Sequence, residues 1–583
     1  MRFFLGIGLF SSILVSAVPV AQILTPDIDE FISNVLSEWN TPGGAGVAVV
    51  RMDGQGGWLV ETKGYGVATA DGTKVSPDTI FPIASNSKLF YILATGLLIS
   101  NQSLEPQISW TTKIGSILPD WQLMDPVASS ESTITDLMSH RTGLPSNDYS
   151  LGDSDELPSL IKRLRYLKPS ASFRDDLQYN NLMYAVLSYL PTALLPDKPS
   201  FARYVKEHIL DPLQMNSTTY SFTAANATGR MADEFSRSDV NTSANPLGPG
   251  IPRIISNVLP GVGEDGNVAS GQGGVLSTAN DMVRWLQMLL LNGQHPNTNA
   301  TIIPAEVIQT VATGFSLWDP NSEAPELSAV VYGAGQMQSS YRGHDLPGWF
   351  PQPGNALSQR WVGVAVFTND DTFGVQFKEI IKFRIVDEVF GLSPVDWDSR
   401  YKASVAAGDS DTPAPPNSTA PLPFPLAVLE GPYRSPGYGA DINLCQASPG
   451  LSRSANCTSL VANLNSTFPA ELAAADLVWA WDKFFVTYVT FSHFSGAVFN
   501  VTGWIASPTG NVSAPFWASD SGLEGNVAEF VVSAAGVVGF GIRGGIWGAG
   551  NRGNADPMEG ALQGATVKEK SEVWYDAVEN SRD

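Results

Sequence analysis

The chain has 583 residues, of which 43% are hydrophobic and 10% aromatic, and this is more than one hydrophobic core accommodates. Its formal net charge of −23 and its pI near 4.6 argue against nucleic acid or an anionic membrane surface as a partner. We therefore expect a globular protein of two domains that binds no nucleic acid.

The N-terminus has the pattern of a secretory signal peptide. Arg2 precedes an apolar run from Phe3 to Ala17 that is too short to span a membrane and ends in small residues. Cleavage after Ala17 would remove residues 1–17, and no later run has the length of a transmembrane helix. We expect a secreted, extracellular protein without a membrane span. Glycosylation is predicted from ten Asn-x-Ser/Thr sites, at Asn101, Asn216, Asn226, Asn241, Asn299, Asn417, Asn456, Asn465, Asn500 and Asn511.

Strand and helix patterns fill the first 400 residues. Gly44–Val50 and Gly57–Thr62 predict paired strands at a sheet edge. Apolar residues at helical spacing predict a helix over Asp281–Leu290, and a later strand and closing helix are predicted at Trp361–Phe367 and Ile380–Phe390. This order predicts an α+β fold. It is an antiparallel sheet with helices packed on it and a helical subdomain, with the functional site in the groove between them.

Ser85 and Lys88 form a candidate catalytic pair. They lie where a predicted buried strand, Thr79–Ala84, meets an apolar helix that begins near Leu89. Residues i and i+3 share one face of a helix, so the Lys88 amine can reach Ser85 Oγ. Partial burial would lower the pKa of the lysine and let its neutral amine act as a base, and the helix N-terminus would direct free N–H groups toward an oxyanion. The alternative is a serine that only caps the helix.

The same Ser-x-x-Lys spacing occurs at Ser159–Lys162 and Ser399–Lys402. The first lies in a charge-rich helix and the second approaches a proline-rich stretch. Because of these surroundings, we expect both serines to be ordinary surface residues.

Tyr179-Asn180-Asn181 is the second candidate motif and stands just ahead of an apolar run. A phenol held near a lysine ammonium loses its proton more easily, so Tyr179 can take the serine proton and later activate a deacylating water. Asn181 can donate an amide hydrogen bond to a substrate carbonyl and help to hold Lys88. The alternative is a tyrosine and an asparagine that cap the following helix.

Two longer blocks, Ile134–Pro145 and Ser270–Ala279, continue the pattern, with Asp281 and Trp285 after the second. Together with the two motifs they resemble the serine β-lactamase and penicillin-binding-protein family over roughly residues 28–395. The closest likeness is to its class C and esterase-like branch, in a secreted fungal type with a C-terminal β domain.

The resemblance implies a β-lactamase/transpeptidase-like fold and a role for each motif residue. Ser85 would be the acylated nucleophile, Lys88 its partner and Tyr179 the general base. Asn181 would contact substrate, and His140 would have a structural role. No metal site or cofactor is expected, because the five histidines form no zinc motif, and Gly-x-Ser-x-Gly is absent too.

The family's third motif, Lys-Thr-Gly or His-x-Gly, does not occur in the chain. Ser339–Trp349 stands where it should fall. Either His344 in this stretch has taken over the polar role and contacts substrate, or part of the strand is missing. A truncated strand would deprive its neighbours of ladder hydrogen bonds and the oxyanion site of a donor.

The C-terminal part predicts a second domain. Residues 18–400 would form the catalytic domain, residues 401–425 a proline-rich, semi-rigid linker, and residues 426–583 a small all-β domain. Within that domain, Trp479–Phe491 and Glu529–Ser533 predict strands. Cys445 and Cys457 are predicted to form a disulfide. The aromatic residues either form a core packed on the catalytic domain or bind a ligand or cell-wall polymer.

The sequence as a whole predicts a secreted serine hydrolase or acyltransferase. It would act through an acyl-enzyme on an amide, ester or β-lactam, with a small-molecule or peptide acyl substrate as its partner. The rival prediction is a noncatalytic binding protein that keeps the fold. Substrate and oligomeric state stay open at this point.

Overall fold

The structure is a computed structural model, and it describes most of the chain between residues 22 and 578. The predicted signal peptide, residues 1–17, lies outside the described part. Within that part, no helix is both long enough and apolar enough to cross a membrane. The described ranges are 22–53, 57–255, 261–347, 362–407, 420–448, 450, 454–511, 514–520, 522–523, 525–548 and 566–578.

The central sheet of the N-terminal region is antiparallel. In the described residues its middle strand, Gly44–Met52, is hydrogen-bonded to Trp58–Gly66 on one side and to Val362–Thr368 on the other. Alternate side chains of a strand point to opposite faces, so Val47 packs in one apolar cluster and Ala48 in another. The predicted strands are therefore present, although Gly44–Met52 lies in the middle of the sheet and not at its edge.

Helices cover both faces of this sheet. Pro26–Glu38 and Gly374–Phe390 pack together on one face, and Ala279–Leu290 packs on the other. Side-chain caps fix where two of them begin, because the Thr25 hydroxyl accepts the Ile28 N–H and Thr278 caps Ala279–Leu290 in the same way. The two helices predicted in this region are confirmed in longer form.

A helical subdomain lies beside the sheet. Its central helix, Ser87–Ser100, is apolar and buried on almost every side. Phe90 on this helix stacks on Trp285 with ring centroids 3.7 Å apart, which joins the subdomain to the sheet-covering helix. The other α-helices described between residues 114 and 311, apart from Ala279–Leu290, are Ile114–Ile117, Pro126–Glu131, Ile134–Met138, Leu157–Arg163, Asn181–Ser188, Leu190–Leu194, Phe201–Val205, Phe222–Ala227, Ser270–Gly273 and Ala305–Val311.

Three smaller sheets complete the N-terminal region as described. Phe81–Pro82 pairs with Leu276–Ser277, and Glu234–Ser238 pairs with Ile251–Ile255. The third sheet has four strands, in the spatial order His344–Pro347, Met337–Tyr341, Val330–Tyr332 and Ser316–Asp319.

The C-terminal region is built around a β-barrel, called the barrel below. In the described residues its strands form one antiparallel sheet that closes where Val486–Ser495 pairs with Val498–Asn511. Buried aromatic side chains such as Trp479, Phe491 and Phe540 fill it. The strands are Gly431–Arg434, Ile442–Gln446, Leu477–Lys483, Val486–Ser495, Val498–Asn511, Ala514–Asp520, Asn526–Ser533, Gly536–Arg543 and Val573–Ala577.

Two details of the C-terminal prediction are refined. Trp479–Phe491 belongs to two strands, because the chain turns between Lys483 and Val486. The helix Ala455–Thr467 accompanies the barrel, and the predicted disulfide between Cys445 and Cys457 fastens it to a barrel strand. The disulfide and the β architecture are confirmed. The aromatic residues named above form a core, which is the first of the two interpretations that the sequence allows.

The predicted linker begins in a helix. Trp397–Ala407 is helical, so residues 401–407 extend the N-terminal region and are not part of a proline-rich spacer. The densest prolines, Pro413–Pro416, lie outside the described residues. A short 3-10 turn, Leu426–Val428, leads into the barrel.

Candidate active site

Ser85 lies in a tight turn immediately before the central helix. The predicted strand is shorter than expected, since only Phe81–Pro82 pairs with a neighbour, and a 3-10 turn at Ala84–Asn86 follows. Ala84 has a φ of 43°, in the left-handed region that is uncommon for residues other than glycine. This backbone leaves Ser85 exposed at the N-terminus of a buried helix.

The block that begins at Ser270 holds this turn from behind. Val275 donates its N–H to Ser87 Oγ at 3.0 Å, and its carbonyl accepts the Ile83 N–H at 3.0 Å. Both residues that flank the turn are therefore fixed to one strand-like segment. The block Ser270–Ala279 therefore helps to position Ser85.

Lys88 is the buried partner of Ser85. Its side chain is on the helix face predicted from the i, i+3 spacing, and Nζ lies 2.9 Å from Ser85 Oγ and 3.0 Å from the Gln272 carbonyl oxygen. Burial lowers the pKa of Lys88 to about 7, because removal from water disfavours the charged ammonium, while the negative charge of Asp148 opposes this change. At neutral pH a large fraction of the amine is therefore uncharged and able to accept a proton.

Tyr179 completes the cluster. Its phenol donates a hydrogen bond to Ser85 Oγ at 2.8 Å, and Lys88 Nζ lies 4.8 Å from the centre of its ring. Desolvation raises the pKa of Tyr179, and Asp148 raises it further, whereas the hydrogen bond with Ser85 lowers it. The expectation that the lysine lowers this pKa is wrong for the free protein, because desolvation dominates and Lys88 itself is readily neutral.

His140 supports Tyr179 and does not touch Ser85. Its carbonyl accepts the Gln178 N–H at 2.9 Å, its Nδ1 accepts the Asn180 N–H at 3.0 Å, and its ring packs beside that of Tyr179. Because Nδ1 accepts, the neutral ring carries its proton on Nε2, which donates to the Tyr332 hydroxyl at 3.0 Å. Burial holds the pKa of His140 well below its ordinary value, so the ring stays neutral. These contacts support the structural role implied for it.

A buried carboxylate, that of Asp136, anchors the block Ile134–Pro145, which also contains His140. Asp136 caps the helix Ile134–Met138 together with Thr133, and it forms ion pairs with Arg141 and Arg174. Burial alone would raise the pKa of Asp136, but the hydrogen bonds from Arg174 and Thr133 lower it overall. This clamp joins the block to the segment that leads into Tyr179.

Asn181 lies beside the cluster but has a different partner from the one predicted. Its Nδ2 donates to Asp148 Oδ1 at 2.9 Å, and no hydrogen bond joins it to Lys88 in the described residues. Its Oδ1 is buried and has no hydrogen-bond partner among them. Asp148 is the site residue that sequence reasoning missed, since neither a motif nor a periodic pattern marks the short 3-10 helix, Asp148–Ser150, in which it lies.

The segment that contains Asp148, residues 146–155, is called the docking segment because it rests on the barrel. The N–H of Asn147 donates to the Trp547 carbonyl at 2.9 Å, and the Tyr438 hydroxyl donates to Asn147 Oδ1 at 2.9 Å. Asn147 is buried and has a φ of 50°. The barrel therefore fixes the residue that immediately precedes Asp148.

Further contacts hold the rest of the docking segment. Lys483 Nζ donates to the Ser150 carbonyl at 3.0 Å, and the Phe484 N–H donates to the Leu151 carbonyl at 3.0 Å. Lys483 also lies 3.8 Å from a carboxylate oxygen of Asp155. The barrel thus supports one wall of the candidate active site, and is not a separate appendage of the chain.

His344 is not brought to the cluster by the described contacts. Its strand pairs with Met337–Tyr341 and not with the central sheet, and its ring stacks on Phe390 with centroids 4.1 Å apart. Gly348 and Trp349, the end of the third-motif stretch, lie outside the described residues. The predicted substrate contact of His344 stays a prediction.

The two other Ser-x-x-Lys sequences have neither the burial nor the partners of Ser85 and Lys88. Lys162 is exposed and faces Asp120 at 3.5 Å. Lys402 forms ion pairs with Glu38 and Asp398. Both serines, Ser159 and Ser399, are exposed surface residues, as predicted.

Comparisons with known proteins show what the chain is similar to. A sequence profile for a family described as Beta-lactamase matches residues 31–384. Unguisins hydrolase ungD of Aspergillus violaceofuscus is 27% identical over 72% of this chain and 76% of its own, and unguisins hydrolase ungD' of Aspergillus campestris is 27% identical over 71% and 77%. The solved structure of an octameric penicillin-binding protein homologue from Pyrococcus abyssi is 15% identical, covers 88% of this chain and 97% of its own, and has a TM-score of 0.46.

Proposed function

Because the chain belongs to the β-lactamase family, we propose that it is a secreted serine hydrolase whose acyl-enzyme forms on Ser85. One observation supports this more than any other. Ser85 Oγ lies within hydrogen-bond distance of both Lys88 Nζ, at 2.9 Å, and the Tyr179 hydroxyl, at 2.8 Å. A serine between a readily neutral amine and a phenol has both a proton acceptor and a proton donor in contact with its nucleophilic oxygen.

In the proposed acylation, the neutral Lys88 amine takes the proton of Ser85 as Oγ attacks the substrate carbonyl. The pKa of about 7 suits this step, because the amine is then basic enough to accept a proton and neutral enough to be available. When the bond to the leaving group breaks, the Tyr179 phenol gives its proton to the departing nitrogen or oxygen. The products of this step are an acyl-Ser85 ester, a Lys88 ammonium and a Tyr179 phenolate.

In the proposed deacylation, the Tyr179 phenolate takes a proton from water and the resulting hydroxide attacks the acyl-Ser85 carbonyl. Ser85 Oγ then leaves and recovers its proton from the Lys88 ammonium, so both side chains return to their starting forms. A Tyr179 phenolate and a Lys88 ammonium are present together only in this proposed intermediate. They would then be close to each other, because Lys88 Nζ lies 4.8 Å from the centre of the Tyr179 ring. In that proposed state, the ammonium would lower the pKa of the phenol.

The acyl substrate is proposed as an amide, ester or β-lactam. Two relatives that match about three quarters of their own length are named as hydrolases, which supports transfer of the acyl group to water over transfer to another acceptor. A related protein of Escherichia coli is named a D-alanyl-D-alanine carboxypeptidase/endopeptidase, which supports a peptide amide within this set. Secretion rests on the signal-peptide pattern of residues 1–17 and on the Asn-x-Ser/Thr sites.

The test is labelling of the purified protein with a fluorescent fluorophosphonate or β-lactam probe, beside Ser85→Ala. The labelled position is located by peptide mass spectrometry. We expect label on Ser85 and none in Ser85→Ala. Ser159→Ala is the matched control, because it removes a serine with the same Ser-x-x-Lys spacing from an exposed site, and it should label like the unmodified protein.

The same experiment judges the rival function, a noncatalytic binding protein. A folded protein that takes up neither probe at Ser85 would refute the acyl-enzyme proposal. It would favour binding without chemistry.

A further inference from the structure

The charge balance around Ser85 points to the kind of substrate that this site accepts. Lys88 is the basic residue in contact with Ser85, and its mechanistic role requires the neutral form. Asp148 accepts a hydrogen bond from Asn181 Nδ2 at 2.9 Å, and Asn181 is only two residues from Tyr179, so the carboxylate lies beside the cluster. In agreement with this position, its charge acts on both Lys88 and Tyr179. When Lys88 is neutral, the described cluster of Ser85, Lys88, Tyr179, Asn181 and Asp148 holds no positive charge, so the Asp148 carboxylate makes the site negative.

Neighbouring groups of the described chain add to this negative potential. The Asn181 amide donates one N–H to Asp148 at 2.9 Å, which offsets the carboxylate charge only in part, and its own Oδ1 is buried without a hydrogen-bond partner among the described residues. Gln272 Oε1 is likewise buried without one, and the Gln272 carbonyl oxygen points at Lys88. An amide oxygen that accepts no hydrogen bond carries an uncompensated partial negative charge, and it favours a hydrogen-bond donor or a cation nearby.

Asp148 is also held firmly enough to discriminate between substrates. The residue before it, Asn147, is fixed by Trp547 and Tyr438 of the barrel, and Asn181 holds one carboxylate oxygen. A charge on a free side chain would turn toward solvent, whereas this carboxylate keeps its position. It is half-buried, so water screens it only in part.

We propose that Asp148 is a specificity-determining residue that favours acyl groups with a positive charge near the scissile carbonyl and disfavours those with a carboxylate there. The substrate class is then a cationic or neutral acyl compound, such as a peptide amide with a free or basic amine beside the bond. This inference rests on the proposed acyl-enzyme at Ser85. The alternative is that Asp148 only orients Asn181 and leaves the choice of substrate to other residues.

The test uses three alkyl fluorophosphonates of equal length that end in an ammonium, a methyl or a carboxylate group. Second-order rates of labelling at Ser85 are measured for each at one pH and low ionic strength. The readout is the ratio of the ammonium rate to the carboxylate rate. Because Asp148 also acts on Lys88, any single rate could change for another reason, but that effect is common to all probes and cancels in the ratio.

We expect the ratio to exceed one in the unmodified protein and to fall about tenfold in Asp148→Asn, in line with a partly screened charge pair. Asp148→Glu should restore most of the preference, because it keeps the charge. Asp153→Asn is the matched control, since it removes an exposed carboxylate from the same docking segment, and it should leave the ratio unchanged.

The outcomes separate this inference from the proposed function. If the methyl probe labels Ser85 but the ratio is the same in Asp148→Asn and the unmodified protein, the specificity role is wrong and the acyl-enzyme stands. If Asp148→Glu fails to restore a ratio lost in Asp148→Asn, Asp148 acts through geometry and the charge argument is wrong. If no probe labels Ser85 in folded protein, both proposals fail.

Discussion

Lys88 should make the acylation of Ser85 depend steeply on pH, with a midpoint near 7. Burial lowers the pKa of the amine from 10.5 to about 7. Since each pKa unit is worth about 1.4 kcal/mol, the site makes protonation of this amine about 5 kcal/mol less favourable than in water. The neutral form is the base, so the rate should reach its plateau above pH 8. Below pH 6 it should fall about tenfold for each pH unit.

The assay is the second-order rate of fluorophosphonate labelling at Ser85 between pH 5 and 9, with circular dichroism at each pH to verify that the protein stays folded. Lys88→Met should label slowly at every pH and lose the dependence. Lys162→Met removes an exposed lysine of the same Ser-x-x-Lys spacing, so its profile should match that of the unmodified protein. A rate that is flat from pH 5 to 9, or one that still climbs at pH 9, would contradict the assignment of Lys88 as the base.

Two further substitutions test the parts around Lys88. Tyr179→Phe removes the hydroxyl that contacts Ser85 Oγ, so it should slow turnover of the acyl-enzyme on the order of a hundredfold. Circular dichroism should show no loss of folding. Release of a bound fluorescent β-lactam at the normal rate would contradict the role of Tyr179. Tyr438→Phe leaves Asn147 Oδ1 without its donor, so urea unfolding should show a loss of about 1–3 kcal/mol, accompanied by slower labelling at Ser85. Tyr433→Phe removes a buried hydrogen bond to a carbonyl within the barrel, so it should lower stability without slowing the labelling.

The parts of the site that sequence predicts are those set by local geometry. Ser85 and Lys88 meet because of their spacing at the start of one helix. Tyr179 could be assigned because Tyr-x-Asn is a short motif of a family whose other blocks are also present. The local pattern predicts too long a strand before Ser85, because the pairing of this strand depends on Leu276–Ser277, which the local pattern does not reveal.

The parts that sequence does not predict depend on contacts between distant segments. Asp148 acquires its position through its neighbour Asn147, which is hydrogen-bonded to Tyr438 and Trp547 of the barrel, and no periodic pattern encodes contacts between such distant segments. The sequence also predicts the wrong direction for the pKa change of Tyr179. The sequence indicates a nearby lysine, but it cannot weigh the charge of that lysine against the desolvation of the phenol.

The opposed pKa changes of Lys88 and Tyr179 give the two groups distinct roles. Desolvation lowers the pKa of Lys88 and raises that of Tyr179, so above neutral pH the phenol keeps its proton while the amine is mostly neutral. Acylation reverses that arrangement, because Lys88 gains a proton and Tyr179 loses one. Asp148 raises the pKa of Lys88, so it stabilises the ammonium that acylation creates, although it also makes the free base slightly less available. A carboxylate at this position therefore assists the step that charges Lys88 and, by the same field, selects the charge of the substrate that reaches Ser85.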